Sequence, residues 1–196
     1  MTYSIIGTGN VGTALARHFA RVGLDVAVAN TRGPESLAAL ADELGSHVTA
    51  STLPDALAAD VVILAVPFRS HEAVARAATT GWAGKIVVDA MNTYGIAPEE
   101  LKGQLSSDVV AAAFPGAKVV KTFNQLPAKL LAANPAENGG KRVMFVAGND
   151  EAASATVAQL VDALGFAPIA LGKIAEGGAL LALGGPLVLK NLVKHG

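Results

Sequence analysis

Three glycines near the start of the chain have the spacing of a phosphate-binding turn. Gly7, Gly9 and Gly12 form the pattern G-x-G-x-x-G directly after residues 4–6, Ser-Ile-Ile, which are predicted to lie in a buried strand. Between a strand and a helix, this pattern places a dinucleotide pyrophosphate on the helix N-terminus. We expect Gly7 to permit the turn, Gly9 to let backbone N–H groups reach the phosphates, and Gly12 to let helix and sheet pack closely. The other predicted cofactor-binding residues of this turn are Thr8, Asn10 and Val11.

The residues after the second predicted strand (25–29) indicate which dinucleotide binds. Sites for NAD usually carry Asp or Glu here for the ribose hydroxyls, but this chain has the neutral Asn30, then Thr31 and Arg32. A guanidinium and a hydroxyl favour a 2′-phosphate, and an Arg–phosphate contact contributes about 1.5–3 kcal/mol. The sequence therefore predicts NADP(H) rather than NAD, unless Arg32 is only a solvated turn residue.

Residues after the next three strands are also expected at this site, because ligands of such sheets bind at the carboxyl ends of the strands. Asn92 is placed beside a ribose or the nicotinamide amide, and Asn124 faces the same crevice. The alternative for each of these residues is ordinary packing at a strand end. The further cofactor-binding candidates are Ala65, Val66, Pro67, Phe68 and Met91.

Groups for acid–base catalysis are scarce. The chain has no cysteine, no Tyr-x-x-x-Lys pattern and no metal-ligand spacing, and no acidic residue is in an obvious pairing with a histidine. The four histidines and the strand-flanking Asp60 and Asp89 are interpreted as structural or solvated. Hydride transfer to a ketone or from an alcohol needs a proton donor or acceptor, whereas transfer between nicotinamide and a flavin-like ring needs mainly stacking. The pattern therefore favours a small-molecule redox ring as substrate.

Strand and helix patterns alternate along the chain. Continuous apolar runs at 61–66, 85–88, 118–123, 142–147 and 166–170 are typical of central strands covered on both faces. We predict an α/β fold, a Rossmann-type doubly wound, mostly parallel sheet of about eight strands with a C-terminal helical segment. Residues 1–196 form one domain, with 1–124 as the dinucleotide-binding core and 125–196 completing the substrate cleft. The turn-rich stretch 134–140 is a surface loop or a flap over the substrate.

Composition excludes several partners. A net charge of −1 implies no general attraction to nucleic acid or anionic membranes. No secretory signal and no apolar stretch of about 18 residues is present, so a cytoplasmic protein is expected. The apolar segment 177–189 is interpreted as a buried helix pair, which covers the core or forms a homodimer interface.

The sequence resembles a known family, the NADPH-dependent reductases of the deazaflavin coenzyme F-420 (F420). The resemblance rests on residues 5–12, 31–32, 63–68, 85–89, 119–127 and 148–150. The reductase domain of STEAP metalloreductases is similar over the same stretches. Pyrroline-5-carboxylate reductases are similar over the N-terminal half, but end in a helical dimerisation domain with no counterpart here.

This resemblance implies NADP in the N-terminal crevice and a deazaflavin stacked on the nicotinamide, with Asn92, Asn124 and Pro127 bordering the ring pocket. The archaeal members have a histidine where this chain has Asn124. They also hold the acidic coenzyme tail with basic side chains, for which the candidates here are Lys129, Lys141 and Arg142.

Three functions remain open at this stage. The first is an NADP-linked oxidoreductase whose second substrate is coenzyme F420 or another flavin-like ring. The second is a non-catalytic NADP-binding redox sensor, and the third is an NADPH-dependent reductase of a small imine or ketone.

Overall fold

One sheet of ten strands, flanked by helices, organises the computed structural model, which describes residues 1–196. The strands are β1 (Tyr3–Ile6), β2 (Val26–Ala29), β3 (Val48–Ala50), β4 (Val61–Leu64), β5 (Ile86–Asp89), β6 (Lys118–Lys121), β7 (Ala136–Glu137), β8 (Gly140–Gly148), β9 (Ala167–Ala170) and β10 (Val193–Lys194). The α-helices are α1 (Asn10–Val22), α2 (Ala38–Leu44), α3 (Leu53–Leu57), α4 (His71–Arg76), α5 (Ser106–Ala113), α6 (Ala128–Ala132) and α7 (Glu151–Ala163). Short 3₁₀ turns lie at Pro34–Leu37, Phe68–Ser70 and Pro98–Leu101, and a π-helical turn at Ile174–Gly178.

The first six strands are parallel and lie in the order β3-β2-β1-β4-β5-β6. This is the order of a dinucleotide-binding sheet, in which the strand order reverses between β1 and β4. The carboxyl ends of these two strands open a crevice because their helices leave toward opposite faces. The predicted doubly wound, mostly parallel fold is confirmed.

The last four strands depart from the expected repetition of parallel units. The long strand β8 runs antiparallel to β6, with Ala147 opposite Lys121, and antiparallel to β7 and β10. Only β9 is parallel to β8. The stretch 134–140 is therefore neither a long loop nor a flap. It forms a hairpin turning at Asn138 and Gly139, whose φ values of 49° and 79° suit a two-residue hairpin turn.

Local signals place the helix ends as the sequence predicts. Gly23 ends α1 in the left-handed conformation, with φ of 71°. The side chains of Thr52 and Asp150 cap α3 and α7 by accepting the N–H groups of Asp55 and Ala153.

The C-terminal segment differs from the predicted helix pair. After the π-helical turn, residues 181–190 form successive turns, and Leu189 itself has a φ of 64°. Two glycines followed by Pro186 prevent a continuous helix. Leu181 is buried against Val143 and Phe145 of β8, so the segment covers the antiparallel end of the sheet. No helix in the fold is long and apolar enough to cross a membrane.

Candidate functional site

A cavity of about 520 Å³ lies where β1 and β4 end. The predicted residues that line it are Gly7, Thr8, Gly9, Asn30, Thr31, Arg32, Ala65, Val66 and Pro67. Sequence reasoning missed Ile6, Leu53, Ser70, Ala73 and Val74, which also line it. Four of these five residues lie in α3 and in the helical stretch 68–76. The prolines at the starts of these two segments, Pro54 and Pro67, are the sequence signal that could have found them.

The protein itself requires glycine at two of the three positions of the turn, but not at the third. Gly7 has a φ of +99°, and an added Cβ would lie 2.3 Å from the Ala65 carbonyl oxygen. A Cβ on Gly12 would lie 1.8 Å from the Gly7 carbonyl oxygen, so these two positions exclude side chains within the protein itself. Gly9 is different, because its backbone is extended and a Cβ there would meet no protein atom within 4 Å. Neither packing nor backbone conformation accounts for glycine at position 9.

The N-terminus of α1 faces the same turn without a side-chain cap. Gly9 is the N-cap residue, and no acidic residue occupies the first turn, which contains Asn10 and Val11. The first N–H groups of a helix have no intrahelical acceptor and carry a partial positive charge. This end of a 13-residue helix therefore has the electrostatics of an anion-binding site.

Asn30 organises the turn after β2. Its Nδ2 donates to Thr8 Oγ1 at 3.2 Å and to Ser36 Oγ at 3.0 Å. Its Oδ1 accepts the backbone N–H of Arg32 at 2.8 Å. The amide thus connects the turn after β2 to the glycine turn and directs the chain at Arg32.

Arg32 is the arginine without a protein partner. Of the six arginines, five hydrogen-bond to protein oxygen atoms, whereas the exposed Arg32 guanidinium makes no hydrogen bond or salt bridge. A free guanidinium on a cavity wall offers five donors to an anionic ligand.

Asn92 and Asn124 form an amide pair at the carboxyl ends of β5 and β6. Asn92 Nδ2 donates to the Asn124 carbonyl oxygen at 2.9 Å, and Asn124 Nδ2 donates to Asn92 Oδ1 at 3.0 Å and to the Leu181 carbonyl oxygen at 2.8 Å. Asn124 Oδ1 is buried and has no partner in the protein. Phe123, directly before it, has a φ of 62°, a conformation that costs a bulky residue about 1–3 kcal/mol. The chain thus tolerates strain where the pair is formed.

The other candidates divide between core and surface. Phe68 is buried with its ring centroid 4.9 Å from that of His71 and does not line the cavity. Met91 is also buried, and its side chain packs in the hydrophobic core. Pro127 is exposed at the start of α6.

The basic residues that the resemblance suggested for an acidic tail are mostly engaged. Lys141 pairs with Asp162 at 2.9 Å, and the buried Arg142 pairs with Glu137 at 2.7 Å. Lys129 makes no ion pair.

No histidine lines the cavity. His18 is buried in α1, where its Nε2 contacts the Leu131 carbonyl oxygen, and burial lowers the pKa of its imidazole below 6.5. His71 contacts the Phe68 carbonyl oxygen through Nδ1 at 2.6 Å. The prediction that no histidine pairs with an acidic residue is wrong, because His47 Nδ1 lies 2.7 Å from Asp25 Oδ1. This pair is on the surface, where neither residue lines the cavity.

Comparisons with known proteins agree with this geometry. Residues 2–93 match the family described as NADP oxidoreductase, coenzyme F420-dependent. The crystal structure of the hypothetical protein SMa0349 from Sinorhizobium meliloti is 47% identical, with a TM-score of 0.93 over 99% of this chain and 96% of that one. A candidate F420-dependent NADP reductase from Arthrobacter sp. FB24 is 31% identical, with a TM-score of 0.72 over 99% of this chain and all of that chain (100%).

Two longer proteins share part of their length with this chain. Metalloreductase STEAP3 from Rattus norvegicus is 32% identical over 173 residues, which are 88% of this chain and 34% of that protein. The chain therefore spans about a third of this relative. An imine reductase from Aspergillus terreus, solved with NADPH4 and dibenz[c,e]azepine, is 25% identical, with a TM-score of 0.67 over 92% of this chain and 57% of that one.

Proposed function

Since the chain belongs to the family of coenzyme F420-dependent NADP oxidoreductases, we propose that it transfers a hydride between NADP(H) and a deazaflavin or flavin-like acceptor. The proposal depends on two residues of one cavity. Gly9 is a glycine although neither packing nor backbone conformation requires one, and the guanidinium of Arg32 has no partner within the protein. Both Gly9 and Arg32 gain a function only when an anionic ligand is present.

The residues present fit NADP(H). The uncapped N-terminus of α1 and the open Cα of Gly9 suit the pyrophosphate. Arg32 and Thr31 suit the 2′-phosphate, and the absence of a carboxylate at position 30 removes the group that would repel it. The walls at Ala65 and Pro67 are apolar and suit the adenosine beside the end of β4.

Neither Asn92 nor Asn124 lines the cavity at the glycine turn, and we assign this amide pair to the reactive half of the cofactor, away from the adenosine half. Asn124 Oδ1 is a buried acceptor that lacks a donor, and both a carboxamide and a deazaflavin ring carry N–H donors. When bound, NADPH supplies the hydride. The chain itself contributes position and shielding, because Asn92 and Asn124 do not titrate and hold each other by two hydrogen bonds.

A flavin-like acceptor is supported by the chemistry that surrounds this edge of the sheet. Two charged groups beside this edge, Asp89 and Lys121, are buried in contact with each other, so neither side chain reaches a substrate. Direct transfer between two stacked rings needs no such group, whereas reduction of an imine or ketone uses a proton donor.

A second candidate, reduction of a small imine, is favoured by one observation, the likeness to the Aspergillus terreus imine reductase over 92% of this chain. That enzyme is considerably longer, since the matched region is 57% of its chain.

The deciding experiment is anaerobic stopped-flow mixing of the protein and NADPH with coenzyme F420, FMN, FAD or a cyclic imine, followed by the absorbance of the reduced nicotinamide. We expect single-turnover oxidation of NADPH with F420 or a flavin and none with the imine. Turnover with the imine alone would support the second candidate. Tight NADPH binding without turnover of any acceptor would contradict both and indicate a redox sensor.

A further inference from the structure

Asp89 and Lys121 form an ion pair that is buried at the carboxyl ends of β5 and β6. The two residues are register partners, and Lys121 Nζ lies 3.1 Å from Asp89 Oδ2. Ser107 in α5 donates a further hydrogen bond to Oδ2 at 2.8 Å. Burying two charges costs solvation, and an apolar pair of similar volume is commonly as stable or more so. Stability alone therefore does not explain why these residues occur here.

The pair holds both backbone groups of Met91. Asp89 Oδ1 accepts the Met91 N–H at 3.0 Å, and Lys121 Nζ donates to the Met91 carbonyl oxygen. Met91 directly precedes Asn92, so both peptide groups around Met91 are fixed before the chain reaches the amide pair. Two charged side chains, one on each of two adjacent strands, thus fix the backbone position from which the Asn92 side chain extends.

We propose that Asp89 and Lys121 are positioning residues. They hold the Met91–Asn92 segment so that the amide pair is placed to receive the nicotinamide half of NADP(H). This inference rests on the proposed function. Neither residue lines the cavity at the glycine turn, so their effect is confined to the nicotinamide half and does not extend to the phosphate-bearing adenosine half.

The test is the double variant Asp89→Asn/Lys121→Met, which removes both charges and keeps the side-chain volumes. Calorimetry measures the Kd of adenosine 2′,5′-bisphosphate, which probes the adenosine half, and the Kd of NADPH, which probes both halves. Steady-state kinetics measures kcat and KM with the acceptor that oxidises NADPH in the stopped-flow experiment. We expect the bisphosphate Kd to stay within about twofold, while the NADPH Kd rises and kcat falls, each about tenfold, because a small misplacement of a reactive group is costly.

A milder variant keeps the test decisive if the double variant does not fold. Ser107→Ala removes one hydrogen bond from Asp89 and leaves the ion pair, so the NADPH Kd should rise about two- to threefold with no change for the bisphosphate.

The matched control is Val157→Ala. Val157 is fully buried in α7, in a different hydrophobic cluster from Met91, so its truncation should destabilise the fold without disturbing Met91. It should leave the ratio of the two Kd values unchanged. The positioning role would be overturned if every folded variant, the double variant or Ser107→Ala, kept the wild-type kcat and the wild-type ratio of NADPH Kd to bisphosphate Kd. An equal change of that ratio in the Val157→Ala control would overturn it as well. Wild-type protein that binds neither nucleotide would instead overturn the proposed function.

Discussion

Asn30 Nδ2 and Thr8 Oγ1 lie 3.2 Å apart, so an amide after β2 is hydrogen-bonded to a hydroxyl in the glycine turn after β1. The same side chain accepts the backbone N–H of Arg32. The residue that we expect beside the adenosine ribose therefore also shapes the turn that presents the guanidinium. We therefore expect selection between NADP(H) and NAD to depend on two coupled features, the neutral amide and the free cation.

Replacing Arg32 should weaken NADPH more than NADH. The Arg32→Ala variant loses a charge-assisted contact of about 1.5–3 kcal/mol, which corresponds to about a tenfold to hundredfold higher Kd for NADPH. The Kd for NADH should be unchanged, because NADH has no 2′-phosphate. Calorimetry with both nucleotides measures this, and Arg17→Ala, which removes an exposed arginine paired with Glu43, is the control. An unchanged preference would refute the 2′-phosphate assignment.

A carboxylate at position 30 should reverse the preference. In Asn30→Asp the new side chain can still accept the Arg32 N–H, and the hydroxyls of Thr8 and Ser36 can donate to it instead of accepting. Unfolding free energy should therefore change by less than about 1 kcal/mol. The ratio of NADPH to NADH affinity should fall at least about tenfold, since the carboxylate repels phosphate and accepts ribose hydroxyls. Equal affinity ratios before and after the change would contradict the prediction.

Two glycines of one turn should respond oppositely to alanine. Gly9→Ala meets no protein atom, so its Tm should equal that of the wild type while NADPH binding weakens at least about tenfold. Gly12→Ala overlaps the Gly7 carbonyl oxygen and should destabilise the fold by about 1–3 kcal/mol or more. Thermal melts with and without NADPH separate the two effects. Normal NADPH binding by the Gly9→Ala variant would contradict the assignment of the pyrophosphate to this turn.

Acid should destabilise the protein through His18. Burial lowers the pKa of its imidazole in the folded state below 6.5, so the unfolded chain binds the proton more readily. Stability from this group is complete above about pH 6.5 and falls as the pH drops toward the folded pKa, by at most about 1.4 kcal/mol per pH unit. Urea unfolding from about pH 7 down to about pH 5, a range that spans the ordinary histidine pKa, measures the slope. His18→Gln should flatten it, and an identical slope would assign the acid sensitivity elsewhere.

We also propose that the C-terminal segment is the interface of a homodimer. Four of the seven exposed large apolar side chains lie in this segment: Leu180, Leu183, Leu189 and Leu192 are 40%, 38%, 62% and 45% exposed. Light scattering should give twice the chain mass of 19.7 kDa. Leu183→Lys/Leu192→Lys should give a single-chain mass, and the exposed Val22→Lys in α1 should not. A wild-type mass of one chain would exclude this interface.

Features that depend on near neighbours could be predicted from the residues alone. The contact of Gly12 with Gly7, the left-handed end of α1 at Gly23 and the cap at Asp150 each involve partners a few positions away, so their residue types carry the information. The parallel order of the first six strands follows from repeated strand–helix units with one hand of connection. The hairpin at Asn138-Gly139 was missed, although its signal is local, because that dipeptide favours the turn that it forms.

Other features required the folded chain. Whether β8 runs parallel or antiparallel to β6, and whether Phe68 faces the cavity or the core, depends on contacts with residues that are distant in the chain. In the sequence Lys121 is one more residue of a strand, and only register places its charge against Asp89, 32 positions earlier in the chain. Side-chain type is a local property, but the partner of a buried charge is chosen by sheet order, which distant contacts establish.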